Sequence, residues 1–366
     1  MVFAGCGDST SSTGSDGCPD MKVAFFGALT GDSANLGINE ANGVKMAIDQ
    51  YNKTGPSCQV AALTYDSQGD PAQAPALAQE AIGDKSVVGV VGPAYSGESK
   101  AANPIFDEAG LPIITASATN IALSTNNWKI FHRAVGNDAA QGGAVAKFVL
   151  EELAAKKVAV VDDASEYGKG IADIVRGKLA DADVAPVNDT IDPRGTDFSS
   201  TVTKVQAAAP DAVFYGGYYA AAGVLAKQLR DAGVTAKFVA PDGSEDPGFV
   251  TAAGAAAEGA YLTAPAAPID KVAGGDEFTA DYKAMFNVDP GLYSVEGYDA
   301  TNLFLEAIKA GKHTRKDIND FLSTVDYTGL SKHYTFDDKG ELGGTVVVYL
   351  YTVEGGVIEG VKPITE

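Results

Sequence analysis

Short apolar runs alternate with amphipathic stretches along most of this chain, and the alternation begins at Lys22. Residues 23–29 predict a strand, 30–37 a turn rich in Gly, Asp and Asn, and 39–51 a helix carrying Val44, Ile48 and Tyr51 on one face. A strand follows at 60–65, and a helix at 71–82 with proline in its first turn. The apolar run 87–91 ends at a Gly-Pro turn, a helix opens at Ser96 and Ser99, and 112–115 forms the next strand. A second series starts near Asn137, with helices at 139–154, 168–179, 198–208 and 220–232 between strands at 157–162, 184–191, 212–215 and 237–240. Alternation of this kind predicts an α/β fold with parallel sheets covered by helices on both faces. Two similar series predict two Rossmann-like lobes related by approximate duplication.

Beyond Gly259 the pattern changes. A short strand at 259–263 precedes helices at 276–286, 295–310 and 315–323. The chain then passes through 334–336 to a hairpin, 345–352 with 357–361, turning at Gly355-Gly356. The late helices are expected to return to the first lobe. That places lobe 1 at 21–137 plus 266–346 and lobe 2 at 138–265 plus 347–366, after a leader at 1–20. Several crossovers of the chain make a hinge, and closure around a ligand is the expected motion.

Residues 87–120, VVGVVGPAYSGESKAANPIFDEAGLPIITASATN, carry the candidate chemistry. Two neighbouring parallel strands would deliver small hydroxyl residues and free backbone N–H groups to the carboxyl edge of a sheet, where open α/β folds bind ligands. Ser96 would sit at a helix N-terminus, whose unpaired N–H groups and dipole favour an anion. No nucleophile there has a base beside it, so the stretch reads as a carboxylate-holding site. Gly89, Gly92 and Gly97 form a glycine-rich turn, but GxGxxG at a first strand and GxxxxGK[ST] are both missing. His132, His313 and His333 lie far apart without ligand spacing, so neither a metal nor a cofactor is expected, nor an enzyme.

Charge narrows the partners. Lys and Arg total 27 against 48 Asp and Glu, a net −21, which argues against nucleic acid and anionic membrane surfaces. No run of eighteen apolar residues exists to span a bilayer. The start, Met1-Val2-Phe3-Ala4-Gly5-Cys6, resembles the end of a bacterial lipoprotein signal, with Cys6 as the lipidated residue and GDSTSSTGSDG as a flexible tether. With Cys6 lipidated, Cys18 and Cys58 remain, either as unrelated thiols or as a bridge between adjacent strands. Such a bridge would close a loop of about 40 residues, worth roughly 4 kcal/mol, and requires an oxidising compartment.

MKVAFFGALTGDSANLGINEANGVKMAID, the 87–120 segment, VAVVDDASEYGKG, VFYGGYY and VAPDG together resemble the type I periplasmic solute-binding proteins of ABC importers, and among them the branched-chain amino acid (Leu/Ile/Val) binding proteins. The resemblance runs from Lys22 to about Lys339. It implies an extracytoplasmic, monomeric binding protein, held at the membrane only through the Cys6 lipid. That protein would capture an amino acid between two lobes and deliver it to an ABC permease. The resemblance implies that Ser96 and Thr119 donate to the ligand carboxylate and that the Ser117 carbonyl accepts from its ammonium. Asp242 would pair that ammonium, and Tyr167 and Tyr218 would complete the far wall. Leu36 stands where the Leu/Ile/Val binders have Trp, and Ala94-Tyr95 where they have a Leu-Cys pair. The partner of that Cys corresponds to Gly69, so the family bridge cannot form, which favours Cys18–Cys58. The side-chain pocket would be lined by Leu36, Ala94, Tyr95, Tyr218 and Tyr293, and an aliphatic amino acid suits it best. Urea, amides, aromatic acids and polar amino acids are the alternative ligands within the same fold, and a sensor role is the alternative to transport.

Overall fold

The computed structural model describes residues 18–364. Cys6, its tether and the lipidation expected there lie outside the described residues. Five strands, β1 (Met21–Gly27), β2 (Val60–Asp66), β3 (Val87–Val91), β4 (Ile113–Thr115) and β5 (Phe131–Arg133), form a wholly parallel sheet in the order β2-β1-β3-β4-β5. Helices α1 (Ala34–Lys53), α2 (Ala74–Gly83) and α3 (Ser96–Ala109) connect them. The central strands β1 and β3 are almost entirely buried, as continuous apolar runs demand of a sheet covered on both faces.

The second sheet has seven strands: β6 (Val158–Asp162), β7 (Val187–Thr190), β8 (Ala212–Gly216), β9 (Lys237–Ala240) and β10 (Tyr261–Ala264), with β13 (Val348–Glu354) and β14 (Val357–Ile364) added at one edge. Its order, β14-β13-β10-β9-β8-β6-β7, contains the first sheet's pattern of 2-1-3-4-5 in β7-β6-β8-β9-β10. The duplication read from the sequence is therefore present in the strand order. Helices α4 (Asp138–Lys147), α5 (Glu166–Asp181), α6 (Ser199–Ala208), α7 (Tyr219–Asp231) and α8 (Pro247–Ala253) serve this sheet. Helices α9 (Gly275–Phe286), α10 (Ser294–Lys309) and α11 (Arg315–Leu322) return to the first sheet, with α10 lying along α1. A two-stranded ribbon, β11 (Tyr327–Thr328) with β12 (His333–Tyr334), precedes the final crossing to β13.

Several elements differ from expectation. Helix α1 begins inside the expected turn, because Ala34-Asn35-Leu36-Gly37 already places Leu36 on the buried face. The expected helix 139–154 is α-helical only to Lys147, then widens through Phe148–Glu152 and stops at Ala154, whose φ is +50°. Helix α8 was not foreseen, although Asp246-Pro247 is a start signal: Asp246 accepts from the Gly248 N–H and proline occupies the first turn.

Two covalent and ionic ties fix the first half. Cys18 and Cys58 form a disulfide, Cα–Cα 5.5 Å, where β1 and β2 begin side by side. Arg133 at the end of β5 is fully buried. It donates to the carbonyls of Ala118 (2.6 Å) and Asn120 (3.0 Å) and pairs with Glu341 at 2.9 Å. A buried guanidinium is tolerated only when so completely paired, and here the pairing pins the loop that follows β4.

Candidate functional site: a cavity between the two sheets

Strands β3 and β4 end side by side, and each delivers a loop to the same place. After β3, Gly92 takes φ +118° and would put a Cβ 2.3 Å from the Phe26 carbonyl, so only glycine fits there. Ala94 and Tyr95 follow, and Tyr95 is the N-cap of α3, with Ser96 its first helical residue. The expectation that Ser96 opens a helix N-terminus holds, although the cap itself lies one residue earlier. After β4, the Thr115 hydroxyl donates to the Pro93 carbonyl (2.9 Å) and accepts from the Ala118 N–H (3.0 Å). Ser96 Oγ accepts from the Asn120 N–H at 3.3 Å, joining the two loops.

The second sheet faces them with aromatic rings and one carboxylate. Tyr218 caps α7 after β8, Tyr167 lies in the first turn of α5, and Asp242 follows β9. Asp242 Oδ1 accepts from the Tyr167 hydroxyl and Oδ2 from the Tyr293 hydroxyl, both at 2.6 Å. The Tyr218 ring lies between Tyr95 (centroids 5.4 Å apart) and Tyr167 (5.1 Å). Three further bonds tie the rim across the gap: Asn35 to Asp246 (2.9 Å), Asn120 to the Glu166 carbonyl (2.6 Å) and Lys100 to Glu166 (2.8 Å).

Of the ten residues read from the sequence as ligand-binding, nine line one enclosed cavity. Leu36, Ala94, Tyr95, Ser96 and Ser117 come from the first half, and Tyr167, Tyr218 and Asp242 from the second. Tyr293 reaches in from the start of α10. Thr119 is the exception. It is buried beside the cavity rather than in its wall, with its hydroxyl against the Asp138 carboxyl. The cavity is tight, with about 10 Å3 of free volume.

Three residues were missed. Gly243 also lines the cavity, and a Cβ there would stand 2.7 Å from the Tyr167 ring. Glu40 and Asp138 lie immediately behind, both fully buried. Burial pushes Glu40 up to about 8. Its Oε2 stands 2.7 Å from Ser117 Oγ, which is also 2.7 Å from the Ala94 carbonyl. One hydroxyl has one proton. Both contacts are satisfied when a protonated Glu40 donates to Ser117 and Ser117 donates to Ala94. Asp138 is also pushed up to about 8, by burial first and by the Asp242 charge second. Burial raises Asp242 as well, against the two tyrosine hydroxyls that favour its ionised form. Glu40 was legible, since it sits on the Leu36, Glu40, Val44 stripe of an amphipathic helix where only apolar residues are expected. Asp138, directly after the Asn137 cap, looks like an ordinary first-turn acid and gave no such signal.

Two facing α/β halves, joined by repeated crossings, with a cavity of tyrosine rings, two serines and one carboxylate at their strand ends, define a two-lobed solute-binding protein. Comparison with known proteins gives the family. The description "Periplasmic binding protein" matches residues 20–356, and the chain belongs to that family. It is 32% identical over 327 residues to the leucine-, isoleucine-, valine-, threonine- and alanine-binding protein of Pseudomonas aeruginosa, covering 88% of this chain and 87% of that one. It is 30% identical to the Leu/Ile/Val-binding protein of Escherichia coli K12, covering 89% of each. Among solved structures, it superposes with a TM-score of 0.87 at 28% identity on the branched-chain amino acid transporter binding protein LivJ of Streptococcus pneumoniae, in complex with isoleucine, covering 94% of this chain and 99% of that one. The leucine-binding protein LivK of Thermotoga maritima gives 0.85 at 25% identity, with the same coverage. The type I periplasmic binding fold expected from the sequence is thus the observed one.

Proposed function

We propose that the chain captures an α-amino acid with an aliphatic side chain between its lobes and passes it to an ABC permease outside the cytoplasm. The observation that carries this reading is the polarity of the cavity. Hydroxyls and helix-end N–H groups stand on one side, and a single buried carboxylate stands opposite. A dehydrated zwitterion requires both of its charges paired. Ser96 and the first-turn N–H groups of α3 would take the carboxylate, while Asp242 and the Ser117 carbonyl would take the ammonium. Asp138 and Thr119 lie behind the wall, so the Thr119 hydroxyl, expected from the sequence on the ligand carboxylate, is not placed to meet it directly. Leu36, Ala94 and the rings of Tyr95, Tyr218 and Tyr293 would hold the side chain, and the Tyr95 hydroxyl is already bonded to the Ser33 carbonyl at 2.6 Å.

With the rim bonded shut across the gap, an amino acid would enter only when the lobes part. The lobes would divide as 21–137 plus 266–346 and 138–265 plus 347–366, hinged at the crossovers. The relatives' printed ligands agree with an aliphatic side chain. A ligand without an ammonium, such as urea or an amide, leaves Asp242 uncompensated, and its burial disfavours that alternative. Binding would need no cofactor, because a permease supplies the energy. Cys6 would anchor the chain as a lipoprotein.

A thermal-shift panel of the twenty amino acids with urea, amides and aromatic acids tests the reading. A ligand at 100 times its Kd adds about 2.7 kcal/mol. The reading expects aliphatic amino acids to shift the melt most, and a shift confined to compounds without an ammonium would refute it.

A further inference from the structure

A second, half-open pocket shares Tyr293 with the first. Its volume is about 500 Å3, against about 10 Å3 in the first. Its other walls include Glu245, Asp270, Glu296 and Glu359, with Lys271 as the one basic residue. Asp270 is paired to Lys271 at 2.8 Å and Glu296 to Lys332 at 3.1 Å. Glu245, half-buried beside Asp242 and Asp246, has no ion pair among the described residues, and burial pushes it up to about 8. The second cavity is thus roomy, acidic and short of cations.

Tyr293 is held in its dividing position by an unusual backbone. It is the N-cap of α10 with φ +69° and ψ 1°, a left-handed conformation that large side chains seldom take. Such outliers persist where the surroundings over-determine them, and they cluster at ligand clamps. Here the left-handed turn swings the ring away from α10 and into the gap. Only 2% of the residue remains exposed, and its hydroxyl reaches Asp242 Oδ2. Tyr167 holds the other oxygen from within the second lobe, so Tyr293 is the one bond to that carboxylate that crosses from α10.

We propose that Tyr293 determines specificity: its ring separates the ligand cavity from the acidic cavity behind it, and its hydroxyl holds Asp242 turned toward the ligand. The inference rests on reading the first cavity as the ligand site. With the ring in place, a long or cationic side chain cannot reach the acidic cavity and is rejected. With the ring removed, the two spaces join, and a distal ammonium can reach Glu245, whose ionised form that positive charge would favour.

The test is calorimetric titration of the full chain and three variants with L-leucine, L-lysine and 1,5-diaminopentane. Tyr293→Gly and Tyr293→Asn suit the left-handed backbone and remove the ring, and the second safeguards against misfolding of the first. Tyr293→Phe keeps the ring and removes only the hydroxyl. The Gly or Asn variant is expected to bind lysine or the diamine at least tenfold more tightly than the parent chain does. The Phe variant is expected to go on excluding both while losing about five- to tenfold in affinity for leucine. Folded Gly and Asn variants that exclude lysine and the diamine as the parent does would overturn the inference, as would a Phe variant with unchanged leucine affinity. Failure of the amino-acid reading looks different: the parent then binds no amino acid, while a gain of diamine binding in the Gly variant still supports the dividing role.

Discussion

The two walls of the cavity are built from the same duplicated topology yet carry opposite chemistry. In the first lobe, the ends of β3 and β4 present hydroxyls and a helix start, and the carboxyl groups behind them, Glu40 and Glu98, are buried and pushed up to about 8. That wall is neutral where it meets the cavity. In the second lobe, the ends of β8 and β9 present Tyr218 and Asp242, and the two hydroxyls on Asp242 stabilise its charge. On the proposed reading, one half of a duplicated fold would hold an anion and the other a cation. The strand order is common to both, so the difference lies in the residues just past each strand end.

The largest effect is expected at the charged wall. Asp242→Asn keeps the shape and removes the charge, and amino-acid binding measured by calorimetry should weaken by about 2–5 kcal/mol. At the neutral wall, Ser96→Ala deletes one hydroxyl facing a ligand carboxylate, and a loss of about 1.5–3 kcal/mol is expected in the same titration. If the serine variant loses more than the aspartate variant, the assignment of the two walls is reversed.

The buried acids sharpen the contrast through pH. Glu40, Glu98 and Asp138 each titrate near 8 when folded and near 4 when unfolded. Between those values the native chain keeps protons that the unfolded chain has released, so stability falls as pH rises, by up to about 1.4 kcal/mol per unit for each group. Melting followed from pH 5 to 9 should show that decline flattening above about pH 8. Constant stability across the range would mean that these carboxyls are paired to cations. The smallest effect belongs to Glu40→Gln. The amide replaces a protonated carboxyl beside Ser117, so at pH 6 stability should change by no more than about 1.5 kcal/mol. At pH 9 the variant should be the more stable of the two. A large loss at pH 6 would show that Glu40 is ionised in the native chain.

Much of this was legible in the sequence because the signals were local. The apolar runs of β1, β3, β6 and β8 and the helices between them follow directly from periodicity. The family motifs brought nine lining residues to one cavity across separations as long as that between Leu36 and Tyr293. Two kinds of feature were hidden. Asp138 became significant only when the fold placed it against Asp242, from which it is 104 residues distant in number (242 − 138). Tyr293 was read as an apolar wall because a tyrosine in sequence does not announce a left-handed backbone. Thr119 was read into the wall on its motif, and the pinning of its loop by Arg133 sets it just behind.

The central claim is that Asp242 meets the ammonium of the guest while the first lobe holds its carboxylate. Titration of the parent chain and Asp242→Asn with L-leucine and with its 2-hydroxy analogue, which replaces the ammonium by a hydroxyl, measures that contact as a coupling energy. A coupling of at least about 2 kcal/mol is expected. A value near zero, with the hydroxy acid losing as much against the variant as against the parent, would contradict the account.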